Sequence, residues 1–147
     1  MIQISVDSDP QLQNPDPHKV TELGNKVFGD HLASEGEVSF IFGTDELLFD
    51  LKKEFFDKNE FTDVIAFRLN DYSEKQIEGE IYISLPRAKE NATELREPFE
   101  KEVARLIIHG SLHLLGYEDE TEVKKLKMHK IENELLNQIN WQSLFEK

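Results

Sequence analysis

The chain has 147 residues, with 17 Lys+Arg against 30 Asp+Glu, a formal net charge of −13 and no Cys. That length fits one domain with a real core, and ten Phe within 10% aromatics argue against disorder. Lack of Cys excludes a disulfide scaffold, a thiolate metal site and a Cys nucleophile, and the excess acid argues against non-specific attraction to nucleic acid or an anionic membrane.

The start, Met1-Ile2-Gln3-Ile4-Ser5-Val6-Asp7, lacks the basic start and apolar run of a signal peptide. No apolar run approaches the 18 or so residues of a membrane span. A cytoplasmic protein is expected. The acid is uneven: residues 1–50 carry Lys19 and Lys26 against ten acids, while residues 101–147 are nearly neutral, at −1.

Ile2, Ile4 and Val6 alternate with polar residues and predict a half-buried strand. Pro15-Asp16-Pro17 breaks the chain, after which Asp16 caps a helix striped by Val20, Leu23, Val27 and Phe28. Gly24 weakens that helix. Val38, Phe40 and Phe42 predict a second strand ended by Gly43. Thr44 or Asp45 then caps a helix carrying Leu47, Leu48, Leu51 and Phe55. Strands follow at 63–69 and 79–85, with an exposed connection at 70–78. A helical pattern over 86–115 is interrupted near 93–98, because Pro98 disfavours helix at the residue before it. A last helix over about 120–140 places Leu126, Ile131, Leu135 and Ile139 on its buried side. A mixed layer fold of about four strands and four or five helices follows.

The chemistry lies in residues 107–119. His109 and His113 are four apart on a predicted helix, so their rings lie one above the other on one face. That spacing can hold a metal, although it also arises by chance. Leu106-Ile107-Ile108 before His109, and Leu112, Leu114 and Leu115 around His113, make the helix apolar. Imidazoles buried there need partners. His18, His31 and His129 lack this setting and read as surface or helix-end residues. Gly116 allows a sharp turn that brings Asp119 back as a third ligand. Two His and one carboxylate on Zn²⁺ leave a position for water, the catalytic arrangement. The other reading of Asp119 is as cap of the final helix, with Glu122 completing a capping box. A helical zinc protease has Glu after its first His; Gly110 stands there, which disfavours a protease.

The run His109-Gly110-Ser111-Leu112-His113-Leu114-Leu115-Gly116-Tyr117 resembles the signature of the YbeY family of bacterial endoribonucleases. Thr62-Asp63-Val64-Ile65-Ala66-Phe67 and Gly79-Glu80-Ile81-Tyr82-Ile83-Ser84 are similar to two further blocks of that family. The resemblance covers essentially the whole chain. It implies one α+β domain over residues 1–147, with a small mixed sheet, helices on its faces and a zincin-like metal site. It implies a single-strand-type endoribonuclease that matures the 3′ end of small-subunit ribosomal RNA, with roles in ribosome assembly and RNA quality control. His109, His113 and Asp119 would hold one Zn²⁺ per chain. Asp119 stands where the family usually has His, which makes the site harder and broadens the choice towards Mn²⁺ or Fe²⁺. Phe56 stands where the family usually has Arg. Lys52, Lys53, Lys58, Arg68 and Arg87 are candidate replacements for that base.

No catalytic side chain outside the metal set, and no RNA-contacting residue, is identified; Glu118 is near but reads equally as solvated. The expected partners are ribosomal RNA and the small ribosomal subunit, reached through a basic protein partner, and no membrane. Lys124, Lys125, Lys127 and Lys130 form a basic cluster beside the site. Two other classes remain open: a non-catalytic assembly factor with a structural metal, and a metallohydrolase of another substrate such as a peptide.

Overall fold

A computed structural model describes residues 1–33 and 35–146. The period-two apolar patterns form β1 (Gln3–Ser8), β2 (Gly36–Gly43), β3 (Val64–Arg68) and β4 (Ile77–Ser84). The helices are α1 (Pro17–Asp30), α2 (Asp45–Phe56), α3 (Leu85–Leu95), α4 (Phe99–Leu114) and α5 (Glu122–Leu136), followed by a 3₁₀ turn at Trp141–Ser143. The fold is α+β. Its sheet runs β1-β2-β4-β3, with β1, β2 and β4 parallel and β3 antiparallel to β4.

Caps explain several boundaries. Asp16 accepts from the His18 N–H with Pro17 in the first turn, as expected. Thr44, rather than Asp45, caps α2 by accepting from the Leu47 N–H. Arg96 takes a left-handed conformation after α3, and Pro98 then keeps residue 97 out of the helix, which separates α3 from α4.

Alternation gives the sheet two different faces. Phe40 and Phe42 of β2 lie beside Ile81 and Ile83 of β4, all fully buried. The intervening Ser39, Glu80 and Tyr82 face the other way and are only half-buried. α1 and α4 cover the apolar face. Gly24 is what allows α1 to come close, since a Cβ there would lie 2.7 Å from Ile4 Cδ1. α4 is buried on nearly every side, including Val103, Leu106, Ile107, Ile108, Leu112 and Leu114. Each such side chain contributes roughly 1.5–3 kcal/mol, so α4 is the axis of the core.

Three expectations change. β4 begins at Ile77, two residues early, because Ile77 pairs with Gly36 of β2 and is buried despite polar neighbours. α5 ends at Leu136, and Leu126 is exposed. The buried stripe is Met128, Glu132, Leu135 and Leu136, a spacing of one helical face that Leu126 does not share. Phe55 is also exposed, with its ring 5.3 Å from Phe67 rather than in the core.

Candidate metal centre

His109 and His113 lie on the last turns of α4, with their rings nearly perpendicular and 4.6 Å apart. The helix then stops. The Gly116 N–H donates to the His113 carbonyl at 3.0 Å and the Tyr117 N–H to the Leu112 carbonyl at 3.0 Å. Gly116 has φ +99°, a conformation side-chain-bearing residues rarely adopt. The reversal carries Asp119 back over the helix end. Its Oδ2 lies 3.5 Å from His109 Nε2 and 3.8 Å from His113 Nε2. Asp119 does not cap α5; Thr121 does, accepting from the Lys124 N–H. The carboxylate is therefore left for the two imidazoles.

The ring tautomers follow from what surrounds each Nδ1. His113 Nδ1 lies 2.9 Å from the Tyr117 carbonyl, which only accepts, so Nδ1 carries hydrogen. His109 Nδ1 lies 2.7 Å from Glu132 Oε2, and the same argument applies. In the neutral rings both Nε2 lone pairs then converge, 3.0 Å apart. Two lone pairs facing each other are relieved by a proton on one nitrogen or by a metal ion shared between them. For bonds of 2.0–2.1 Å, the ligand–ligand edge of a tetrahedral ion is about 3.3 Å, which the three separations bracket. The residues present fit a divalent metal: His109, His113 and Asp119 could hold one.

Burial presses the His109 pKa down, but the hydrogen bond and charge of Glu132, with Asp119 and Asp63, outweigh it and hold the ring above its ordinary value. Burial and then the neighbouring His109 lower His113, with Asp119 opposing in part.

Glu132 is 1% exposed and is absent from the sequence-level expectations. It also meets Arg105, whose Nη1 lies 3.4 Å away. Arg105 Nε reaches Glu102 at 3.5 Å, and Asn91 links Glu102 to Asp63. This chain of paired polar groups ties α3, α4, α5 and the start of β3 behind His109. A carboxylate that orients a ligating His and fixes its tautomer is the common outer support of such sites. A signal for it is present in the sequence: Met128, Glu132 and Leu135 share one helix face, and an acid on an apolar stripe needs a partner.

Gly110 points at the sheet. A Cβ there would lie 2.6 Å from Ile81 Cγ2 and 3.4 Å from Val64 Cγ2. No general base can project from this position, which removes the protease arrangement on steric grounds.

At His113 and Asp119 opens a cleft of about 640 Å³, lined also by Phe56, Tyr72 and the 116–120 turn. The candidate bases divide. Arg87 is held by both oxygens of Asp45 and by Glu90, and Arg68 by carbonyls of its own hairpin loop and of Leu114. Both are structural. Lys52 lies 3.7 Å from Glu60 and 4.9 Å from the Phe56 ring centre. Lys53 and Lys58 are exposed and do not line the cleft. Of the basic cluster, Lys124 pairs with Glu118 at 2.7 Å and Lys127 approaches the Tyr117 ring, so both flank the metal turn. Lys125 and Lys130 are exposed on α5. His18 and His129 are exposed too. His31 ends α1, and its ring meets Tyr117 edge-on at 5.6 Å, bracing the turn.

A family model described as Endoribonuclease YbeY matches residues 11–140. A protein named Endoribonuclease YbeY from Flavobacterium psychrophilum is 42% identical over 104 residues, 70% of this chain and 72% of its own length. Its namesake from Amoebophilus asiaticus is 37% identical, covering 85% of this chain and 84% of that protein. The solution structure of TM1509 from Thermotoga maritima superposes with a TM-score of 0.63 at 27% identity, over 97% of this chain and 93% of that one. No helix among the described residues is long and apolar enough to cross a membrane. The cleft, the donor triad and these relatives lead to one conclusion: the chain belongs to the Endoribonuclease YbeY family.

Proposed function

We propose that this protein is a metal-dependent endoribonuclease acting in maturation of the 3′ end of small-subunit ribosomal RNA, in ribosome assembly and in RNA quality control. The observation that carries the reading is the convergence of His109, His113 and Asp119, the last two lining an open cleft, in a chain of this family. These three residues are the ligands, one ion per chain, and zinc is the expected metal. Such an ion supplies a polarised phosphoryl oxygen and a bound water of lowered pKa.

The chain's own residues do the rest. The Tyr117 carbonyl and the Glu132 carboxylate hold the two imidazoles by Nδ1, with their Nε2 atoms turned towards each other. The Gly116 reversal supplies the carboxylate. The protein is read as a single domain over residues 1–147, working in the cytoplasm on the small ribosomal subunit. A basic protein partner suits the net −8 of residues 1–50. That same acidity favours the alternative of a non-catalytic assembly factor with a structural metal.

The test is cleavage of structured ribosomal RNA by purified protein, metal-loaded and chelated. Cleavage that is lost on chelation and in His113→Ala is expected. Equal cleavage by wild type and His113→Ala sinks the nuclease reading. A strong fall in Tm on chelation, with subunit binding retained and no cleavage by wild type, establishes the assembly factor instead.

A further inference from the structure

Phe56 and Tyr72 are large aromatic side chains left 44% and 58% exposed, and both line the cleft that holds His113 and Asp119. Phe56 lies nearly parallel to Phe67, 19° between planes with centroids 5.9 Å apart, so its orientation is supported from behind. The Tyr72 hydroxyl donates to the His113 carbonyl at 3.3 Å, and the Arg68 guanidinium lies 4.9 Å from the Tyr72 ring centre. Both rings are thus anchored to the frame of the site while remaining open.

Charge narrows what they can bind. The chain carries −13, and Glu118, Asp119 and Glu120 line the same cleft. Phosphate contacts supply most of the affinity of ordinary nucleic-acid binders; with Asp119 given to the ion and Glu118 paired with Lys124, the described residues lining this cleft offer a phosphate no Lys or Arg. The cations beside the two rings are Lys52 at Phe56, which also pairs with Glu60, and Arg68 at Tyr72, which is held by its loop carbonyls. Stacking on aromatic side chains is the term that survives such a charge, because a nucleobase is neutral and every base has a π-face. A phosphodiester at His113 and Asp119 puts its flanking nucleosides against these walls, and only unpaired bases can splay out to meet them.

We propose that Phe56 and Tyr72 form a base-stacking subsite beside the donor triad, taking an unpaired RNA base next to the phosphodiester to be cut. The subsite rests on the endoribonuclease reading for its substrate. It makes Phe56 and Tyr72 positioning residues that select unstacked RNA by its bases.

The probe is a short oligoribonucleotide carrying one 2-aminopurine, titrated by fluorescence and anisotropy into the zinc-loaded full chain, with the RNA checked to be intact. Wild type is expected to quench the 2-aminopurine and to bind with a shallow salt dependence. Phe56→Leu and Tyr72→Leu should each weaken binding between about 5- and 150-fold, from the stacking energy per base. Phe56→Tyr and Tyr72→Phe, which keep a ring, should stay near wild type. An abasic site in the oligonucleotide should weaken wild type but add little to Phe56→Leu. In cleavage, the leucine variants should raise KM more than they lower kcat. If wild type cleaves RNA while both leucine variants bind and cleave equally well, the subsite falls and the nuclease reading stands. Loss of quenching in the leucine variants with no cleavage by wild type leaves the subsite and overturns the nuclease. A steep salt slope that ignores Phe56 and Tyr72 replaces stacking with phosphate binding and overturns the proposal.

Discussion

Behind His109 the polar groups are paired in series, from buried Glu132 through half-buried Arg105 to buried Glu102, and through half-buried Asn91 to Asp63. In front, the cleft walls are exposed: Phe56, Tyr72 and an acidic turn whose Asp119 is 40% exposed. The rear is positioned by long-range partners, and its two buried carboxylates, Glu102 and Glu132, are costly to leave unpaired. The front is positioned by one local turn, and its residues can change at small cost to the fold. Orientation of His109 is therefore a property of the core, and placement of Asp119 and the shape of the cleft are properties of the surface turn.

The strongest way to break this division is Glu132→Ala. It leaves Arg105 and His109 Nδ1 without their buried partner. A loss of about 3–5 kcal/mol is expected in urea unfolding of the metal-free chain. Zinc affinity should fall roughly 10–100-fold by calorimetry. Unchanged zinc affinity in the folded variant would show that the rear does not orient His109.

Asp119→Ala tests the front. Metal-free stability should stay within about 0.5 kcal/mol of wild type. The stabilisation that zinc brings, about 2.7 kcal/mol at a hundredfold excess over Kd, should largely disappear. Scanning calorimetry with and without zinc separates the two quantities. A variant that keeps the whole metal-induced rise in Tm would remove Asp119 from the donor set.

Gly116→Ala probes the turn itself. Its φ of +99° strains any side chain, at a cost of order 1–3 kcal/mol. The thermal shift should be accompanied by weaker zinc binding, because Asp119 is carried by this reversal. A stability loss with zinc affinity intact would uncouple turn and site.

The smallest effect concerns Glu102. Burial raises its pKa above the ordinary 4.5, opposed in part by Asn91 and Arg105. A raised folded value favours the protonated form, so its stabilising contribution is complete below the ordinary value and is lost as pH rises through the raised one. Wild type should therefore lose stability relative to Glu102→Gln on going from acid towards neutral pH. Urea midpoints of both chains over that range give the difference, and parallel curves would place Glu102 in a more solvated setting than its burial indicates.

The front of the site was largely legible because its determinants are local. His109, His113, Gly116 and Asp119 span eleven residues, and helical periodicity plus one turn suffices to bring them together. Caps such as Asp16 are legible for the same reason. The rear was not, since His109 and Glu132 are 23 residues apart and α5 must dock before they meet. The last helix misled because Leu126 suggests burial by its apolarity alone, whereas the face that packs contains an acid. Arg68 misled in another way. It was a candidate for the base missing at Phe56, but its guanidinium is taken by Asn70 Oδ1 and by backbone carbonyls up to 46 residues away.

Those Arg68 bonds have a consequence for local opening. One guanidinium accepts no substitute easily: Nη2 donates to the carbonyls of Asp71, Glu74 and Gln76, while Nη1 donates to Leu114 at 2.7 Å. The hairpin tip and the end of α4 are thereby joined through two side chains, Arg68 and Tyr72, whose hydroxyl donates to the His113 carbonyl. They should behave as one cooperative unit in amide hydrogen exchange, opening together below the free energy of global unfolding. Fluctuation of a surface loop and release of the helix end beside the cleft would then be the same event.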